Sequence, residues 1–547
     1  MVSTHCPNLA TIHPQYVRVA QRKQEQEEQD LLLRRLGPVE TSYHQDLCCL
    51  NGTRIALLKK VADWLPSKSG KEDVPHGNTC WIYGLPGIGK TSLAHSICAN
   101  LYGQDQLAGE FFCRRDDPAL SEPRNILPTL IHKLAIIFPP FRSIVAEHLR
   151  KDPNVTPASM GHTLFLESIR KLPHPPKRTL VFVIDAIDEC SNTQSHPDIL
   201  KALKDAAAHA SWLKFIITSG PEADIQSFFV GATQLLKFDL TEGEETIADL
   251  RLFAAHRFSR VASMRHLQPP WPEPLLFDAV ISRADGLFIF IETLALALEH
   301  CHDPTRLLET IISAPAGRGL ESLYGLYSSI SNARGVQNND EFQRVIGVLL
   351  ITAPHRPLCE ETIAELAGVG PDLVRTWVVD LGSMFYREGG ASGGIRVRHL
   401  SVSDFFLSDG CPRDYRVNLR DANVQLGIAC LNTMIGQLRF NICALEDSRL
   451  ANNEVKDLPS RIKDNISDAL QYSSLYWSNH VSHAVDRVQE RLTEVFEGPC
   501  ALFWIEVLSI MGMLRIGALN LQKVMSLFEV SAPPDYRNEH CNVTLTR

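Results

Sequence analysis

No stretch in this 547-residue chain reaches the ~18 consecutive apolar residues that a membrane-spanning helix requires. The longest apolar segments, Gly286 to Leu298 and Ala501 to Leu514, each carry a glutamate and read as buried helices. The N-terminus has no basic region followed by an apolar one, so no secretory leader is expected. Fourteen cysteines include no C-x-x-C pair, which removes the usual zinc and dithiol-redox spacings. Scattered thiols without a leader suit a reducing, cytoplasmic setting. Basic residues are not in excess: 54 Lys and Arg against 63 Asp and Glu give a net charge of −9, which argues against a whole-chain grip on nucleic acid. No nucleophile elbow of the G-x-S-x-G type, set between a strand and a helix, is seen, and H-E-x-x-H does not occur. "EHCH", Glu299 to His302, has soft ligands, but its two histidines point apart on a helix and no second cluster accompanies them.

What is present is an ordinary globular composition, 44% apolar and 21% charged, at a length that implies several domains. Residues 1–46 hold a charged helix from Tyr16 to Leu36 with a solvated face, and a coiled coil is the alternative. Residues 47–78 hold a second helix, with Leu57, Leu58, Val61, Trp64 and Leu65 on one face, and the linker Pro66 to Asn78. From 79 to 240, strand candidates "TCWIY", "GEFFC", "TLVFVIDAI", "LKFIITS" and "QLLKFDL" alternate with helices, the pattern of a parallel α/β sheet covered on both faces. Residues 241–335 turn helical, with Ile247, Leu250, Ala254 and Phe258 on one face. Within 336–412, three short helices and a Gly-rich hairpin predict a winged helix. Residues 413–527 are helical again, and 528–547 form an irregular tail.

One motif carries chemistry on its own. Gly84-Leu85-Pro86-Gly87-Ile88-Gly89-Lys90-Thr91-Ser92 follows a strand, opens a helix and fits G-x-x-x-x-G-K-[ST], the phosphate loop of nucleotide-binding proteins. Glycines let successive backbone N–H groups face phosphate oxygens, and the helix adds its positive end. Lys90 is expected at the β- and γ-phosphates and the Thr91 hydroxyl on Mg²⁺. Asp185, after five apolar residues in "TLVFVIDAIDEC", is placed to hold the Mg²⁺ shell. Asp188 or Glu189 would activate a water, and the competing reading is that "DAIDE" only opens a helix with favourable acids. The intervening strand "GEFFC" and the lack of N-K-x-D favour ATP or ADP, with GTP still open.

These segments in order resemble a fungal NACHT-domain protein, in the family of signal-transduction NTPases that includes heterokaryon-incompatibility proteins and NOD-like receptors. Besides the phosphate loop, "CLNGTRIALLKKVADWL" resembles the family's lead-in, "VIDAIDEC" its acidic strand and "ITSGPEADI" its sensor strand. "WPEPLLFDAVISRADGLFIFIETL" resembles its helical lid and "IRVRHLSVSDFFL" its winged-helix end. The resemblance implies a P-loop NTPase followed by a lid, a winged helix and an all-α region. It implies a nucleotide-operated switch that self-associates through the NACHT domain and meets effector or sensor proteins, without nucleic acid or membrane. It gives His399, placed before a Ser401-x-x-Asp404 capping box, the role of contacting the β-phosphate of ADP. Family members often continue into repeats, and none is found here. The family pattern T-S-R-P-E reads Thr218-Ser219-Gly220-Pro221-Glu222 in this chain, so a γ-phosphate-sensing arginine is replaced by glycine. A high-turnover ATPase and a scaffold with little or no hydrolysis are the rival readings.

Overall fold

The computed structural model describes residues 14–65, 77–152, 154–155, 160–190, 196–229, 235–241, 244–315, 317–333, 340–388, 393–447, 449–482 and 485–531. The chain divides into two compact units: Met1–Ser263 with Gln268–Ile291, and Met264–Leu267 with Glu292–Arg547. Among the described residues no helix is long and apolar enough to cross a membrane.

The first unit is built on five parallel strands: β1 Thr79–Tyr83, β2 Leu107–Phe112, β3 Leu180–Asp185, β4 Leu213–Ser219 and β5 Leu235–Asp239. Their order is β2-β3-β4-β1-β5. β3 and β4 are buried along their whole lengths, as expected for a parallel sheet covered on both faces. Side chains alternate between the faces. Phe182, Ile184, Phe215 and Ile217 join one large core with helices α4 (Ile126–Ile137), α5 (Pro139–Lys151) and His196–His209. Helix α3 (Lys90–Gly103) packs on the sheet as well and buries Leu93, Ala94 and Ile97.

The N-terminal helix α1 (Pro14–Arg34) matches the expected charged helix, with residues 23–28 exposed. Its last turn does more than solvate: Leu33 and the following Leu36 enter the main core. Helix α2 (Ile55–Trp64) buries Val61 and Trp64 of its expected face, whereas Leu57 and Leu58 are half-buried. Lys214, buried within β4, donates from Nζ to the Trp64 carbonyl at 2.7 Å and lies 4.2 Å over the Trp64 ring. Burial lowers its pKa to about 8. On the helix Glu244–Arg265, Leu250, Ala254 and Phe258 are buried, but Ile247 is 51% exposed and leaves the face assigned to it.

The second unit is almost entirely helical. The helices Asp340–Thr352, Glu360–Ala367 and Pro371–Asp380 precede an antiparallel hairpin, β6 Phe385–Arg387 with β7 Ile395–Val397, and the helix Leu400–Leu407. Phe342, Trp377, Phe385, Phe405 and Phe406 form its aromatic core. Glu360, 6% exposed, accepts from Arg375 Nε at 3.1 Å and from Arg387, joining helix to hairpin. The helix Asp468–Val481 then packs along Leu419–Gln437. The helix Leu514–Ser531 passes the expected boundary at 527. The rest of the tail, most of the Pro66–Asn78 linker, and positions 389–392 of the Gly-rich hairpin loop lie outside the described residues.

Candidate functional site

The phosphate loop joins β1 to α3 at the C-terminal end of the sheet, where open α/β folds collect their ligands. Gly87 and Gly89 take φ of +80° and +96°, which side chains with a Cβ rarely adopt. Gly89 caps α3, so the helix begins at Lys90 and its unpaired N–H groups face the loop. Lys90 Nζ donates to the Gly84 carbonyl at 2.8 Å and the Leu85 carbonyl at 3.1 Å. Burial lowers its pKa below the usual lysine range, while Asp188, Asp185, Glu189 and Glu222 oppose that shift. Four carboxylates thus act on the charge of one lysine. Pro86 of the loop and Ser92 of the first turn of α3 are half-buried.

Asp185 ends β3, is 1% exposed, and is brought to Thr91 by the sheet. Thr218 Oγ1 donates to Asp185 Oδ1 at 2.5 Å, and the Thr91 hydroxyl lies near enough to the same carboxylate to favour its charged form. Burial raises the Asp185 pKa, with these hydroxyls and Lys90 opposing. Ala186 follows at φ +53°, a left-handed conformation that is costly for alanine. It is held by its N–H donating to Thr218 Oγ1 at 2.8 Å. This turn leads Ile187–Glu189 into a short 3₁₀ segment, so "DAIDE" does not open a regular helix.

The two candidate acids differ. Glu189 is half-buried and accepts from the Arg115 N–H at 3.2 Å, and burial raises its pKa to about 7. Asp188 Oδ1 is buried with no hydrogen-bond partner among the described residues, an uncommon condition for a carboxylate oxygen. Its other oxygen lies 3.0 Å from where a Cβ on Gly220 would sit, and Glu222 Oε1 lies 3.4 Å away. The position after β4 thus has an acidic surrounding. Arg114, one candidate for a replacement cation, is bound by Asp116 at 3.1 and 2.8 Å. Cys113 and Cys190 flank the site with sulfurs 3.6 Å apart.

Among the described residues no group of three or more His, Cys, Asp or Glu side chains is placed to hold a metal. Mg²⁺ at a nucleotide site needs only one or two protein ligands and completes its octahedron from phosphates and water. The Thr91 hydroxyl and the Asp185 carboxylate would supply those ligands, and the unpartnered Asp188 Oδ1 suits a metal-bound water.

Residues 53–220 match the family model described as nephrocystin 3, N-terminal. The match covers less than a third of the chain, running from the lead-in through the phosphate loop and Asp185 to Gly220. No curated protein matches. Among solved structures, the Walker-type ATPase of Pyrococcus abyssi is 12% identical, with 68% of this chain and 99% of that one covered at a TM-score of 0.32. Cdc6p from Pyrobaculum aerophilum is also 12% identical, with 69% and 97% covered at 0.27. The Holliday junction branch migration motor RuvB of Thermotoga maritima is 14% identical, with 60% and 86% covered at 0.21.

His399 lies in the second unit and is itself the N-cap of Leu400–Leu407. This corrects the expected capping box: the helix starts two residues before the position that would make Ser401 the cap, and Ser401 is buried against Tyr327 Oη at 2.8 Å. The Ser401 N–H donates to His399 Nδ1 at 3.2 Å. An N–H can only donate, so Nδ1 accepts and the ring proton of the neutral form sits on Nε2. Sequence reasoning missed Thr218 as the residue orienting Asp185. Its one signal was a hydroxyl inside the apolar run "LKFIITS". Arg54, next to the start of the family match, was also missed.

Proposed function

We propose that the chain is a nucleotide-dependent switch that binds ADP or ATP with Mg²⁺ at Gly84–Ser92 and hydrolyses ATP slowly. The observation that supports it most is the loop itself, with Gly87 and Gly89 at positive φ and Lys90 opening α3, set beside the buried Asp185 that Thr218 holds at the end of β3. Mg²⁺ bound by Thr91 and Asp185 would supply charge neutralisation at the phosphates. Glu189 takes the proton of the attacking water, and Lys90 compensates charge on the phosphate oxygens. β4 lying between β1 and β3 suits the ATPase reading.

On this reading the helical segment after β5 is the lid and residues 336–412 a winged helix. A His399 with its proton on Nε2 is a donor suited to the β-phosphate of ADP. ADP would hold the resting state, and exchange for ATP would release surfaces for self-association and for effector or sensor proteins, without nucleic acid. The setting would be cytoplasmic signalling, of the kind used in fungal non-self recognition and cell death. A nucleotide-binding scaffold with little hydrolysis is favoured by one observation, the carboxylates around Gly220. The test is Lys90→Ala, which should weaken binding of fluorescent ADP and ATP analogues by at least tenfold at about 1.5–3 kcal/mol per charge-assisted bond. Unchanged affinity sinks the assignment.

A further inference from the structure

Arg54 is only 6% exposed, and a buried guanidinium is costly unless its N–H groups find acceptors. Nη1 donates to Thr246 Oγ1 at 3.0 Å and Nη2 to the Ile88 carbonyl at 2.9 Å. Its backbone N–H donates to Asp249 Oδ2 at 3.0 Å, and the guanidinium lies 5.1 Å over the Phe288 ring. Arg54 itself sits at φ +58°, a strained conformation that surrounding contacts must hold in place.

The acceptor on Ile88 gives this arrangement a consequence for the phosphate loop. A peptide unit is planar and trans, so its C=O and N–H point in opposite directions. Holding the Ile88 oxygen toward Arg54 therefore sets the direction of the Gly89 N–H. The preceding unit is held in the same way, because the Ile289 N–H donates to the Gly87 carbonyl at 3.1 Å. Both bonds act between Gly87 and Gly89, whose positive φ marks the most pliable part of the loop.

We propose that Arg54 is a positioning residue of the phosphate loop, orienting the Ile88–Gly89 peptide so that its N–H faces a bound phosphate, and fastening that peptide to Thr246 and Phe288. The proposal rests on the reading of Gly84–Ser92 as a phosphate site. Arg54 touches no reacting atom on this account. It acts through the loop, by way of the Ile88 carbonyl.

The experiment compares the full chain with Arg54→Met and Arg54→Lys by hydrogen–deuterium exchange and by titration with fluorescent ADP and Mg²⁺. Arg54→Met should speed exchange in Leu85–Thr91 about tenfold while β3 and β4 keep their protection. Its ADP affinity should fall about tenfold, the scale expected for one hydrogen bond from a charged group. Arg54→Lys has a single ammonium in place of the fork, so it should recover part of both effects. Loop exchange unchanged in both variants overturns the proposal, and so does faster exchange spread evenly over the unit. If Arg54→Met does not fold, Arg54→Lys decides, since loop exchange matching the parent's would count against the fork. A parent that binds no ADP sinks the phosphate-site reading, whereas the exchange pattern still decides whether Arg54 holds the loop.

Discussion

Replacing Glu189 by Gln separates a proton-transfer role from a packing role, and the structure sets its size. Glu189 keeps its proton up to about pH 7 in the folded chain because it is buried, against an ordinary value of 4.5. A raised folded pKa gives stability that is complete below the unfolded value and is lost as pH rises through the folded one. The window is therefore pH 4.5 to 7. At about 1.4 kcal/mol per pH unit, full desolvation would amount to about 3 kcal/mol. Water reaches this half-buried carboxyl, so about 1–2 kcal/mol is expected to be realised. Glutamine has the same shape and no titration. Glu189→Gln should match the parent's unfolding midpoint at pH 5 and exceed it by about 2–5 °C at pH 8.5. Parallel curves for the two proteins would refute the assigned burial effect. ATP hydrolysis gives the second readout: the parent's rate should rise with pH and level off above about 7, and the variant should lose that slope along with most of the rate. A parent profile that is flat between pH 5.5 and 8 would remove Glu189 from the role of base.

Asp185→Asn should weaken Mg²⁺-dependent ADP binding by about tenfold or more while leaving the chelator-insensitive part, measured by calorimetry with and without EDTA. The fold should tolerate it, since a fully buried carboxylate gives way to a neutral group of the same size. His399→Asn should raise the oligomer fraction in size-exclusion runs with ADP, because Asn preserves the helix cap and removes the ring donor. Equal fractions in variant and parent would count against a latch. Gly220→Arg would place its Cβ 3.0 Å from Asp188 Oδ2, so the guanidinium should pair first with Asp188 and Glu222 and raise the ATP/ADP affinity ratio by less than tenfold. A larger rise would show that the arginine reaches the phosphate in spite of those acids.

How much was legible in the sequence depended on whether a partner was local. "TCWIY" and "LKFIITS" are found at their expected ends, because each run stops at a Gly-Pro-containing turn that cannot continue a parallel ladder. "GEFFC" starts two residues after the strand does. β2 begins at Leu107, where pairing with Val181 precedes an irregularity at Gly109. The helix periodicity placed Leu250, Ala254 and Phe258 correctly but carried Ile247 along, since a repeat of three and four says nothing about where cover ends. The loop, Asp185 and the two following acids could be found because their chemistry is written as contiguous spacing. Thr218 and Arg54 could not. Thr218 acts on a carboxylate 33 residues away and Arg54 on a carbonyl 34 residues away, and neither bond leaves a periodic trace.

Those long-range contacts bear on how the site can work at all. Asp185, Asp188, Glu189 and Glu222 all act on the charge of Lys90, and Gly220 brings no second cation to the end of β4. A nucleotide's phosphates add further negative charge to the same space. Repulsion between close like charges in a partly buried site is worth several kcal/mol, more than one lysine offsets. Besides Mg²⁺, backbone dipoles would offset part of it, since the N–H groups of the loop and the start of α3 carry fixed partial charges that no pH change removes. Their contribution depends on direction, and direction depends on the Ile88 and Gly87 carbonyls being held outward by Arg54 and Ile289. On the proposed reading, phosphate binding therefore rests as much on the orientation of two peptide units as on the charge of Lys90. On the same reading, the carboxylates around Gly220 would oppose additional charge at the γ-position in the absence of Mg²⁺, which would favour a diphosphate-bound resting state.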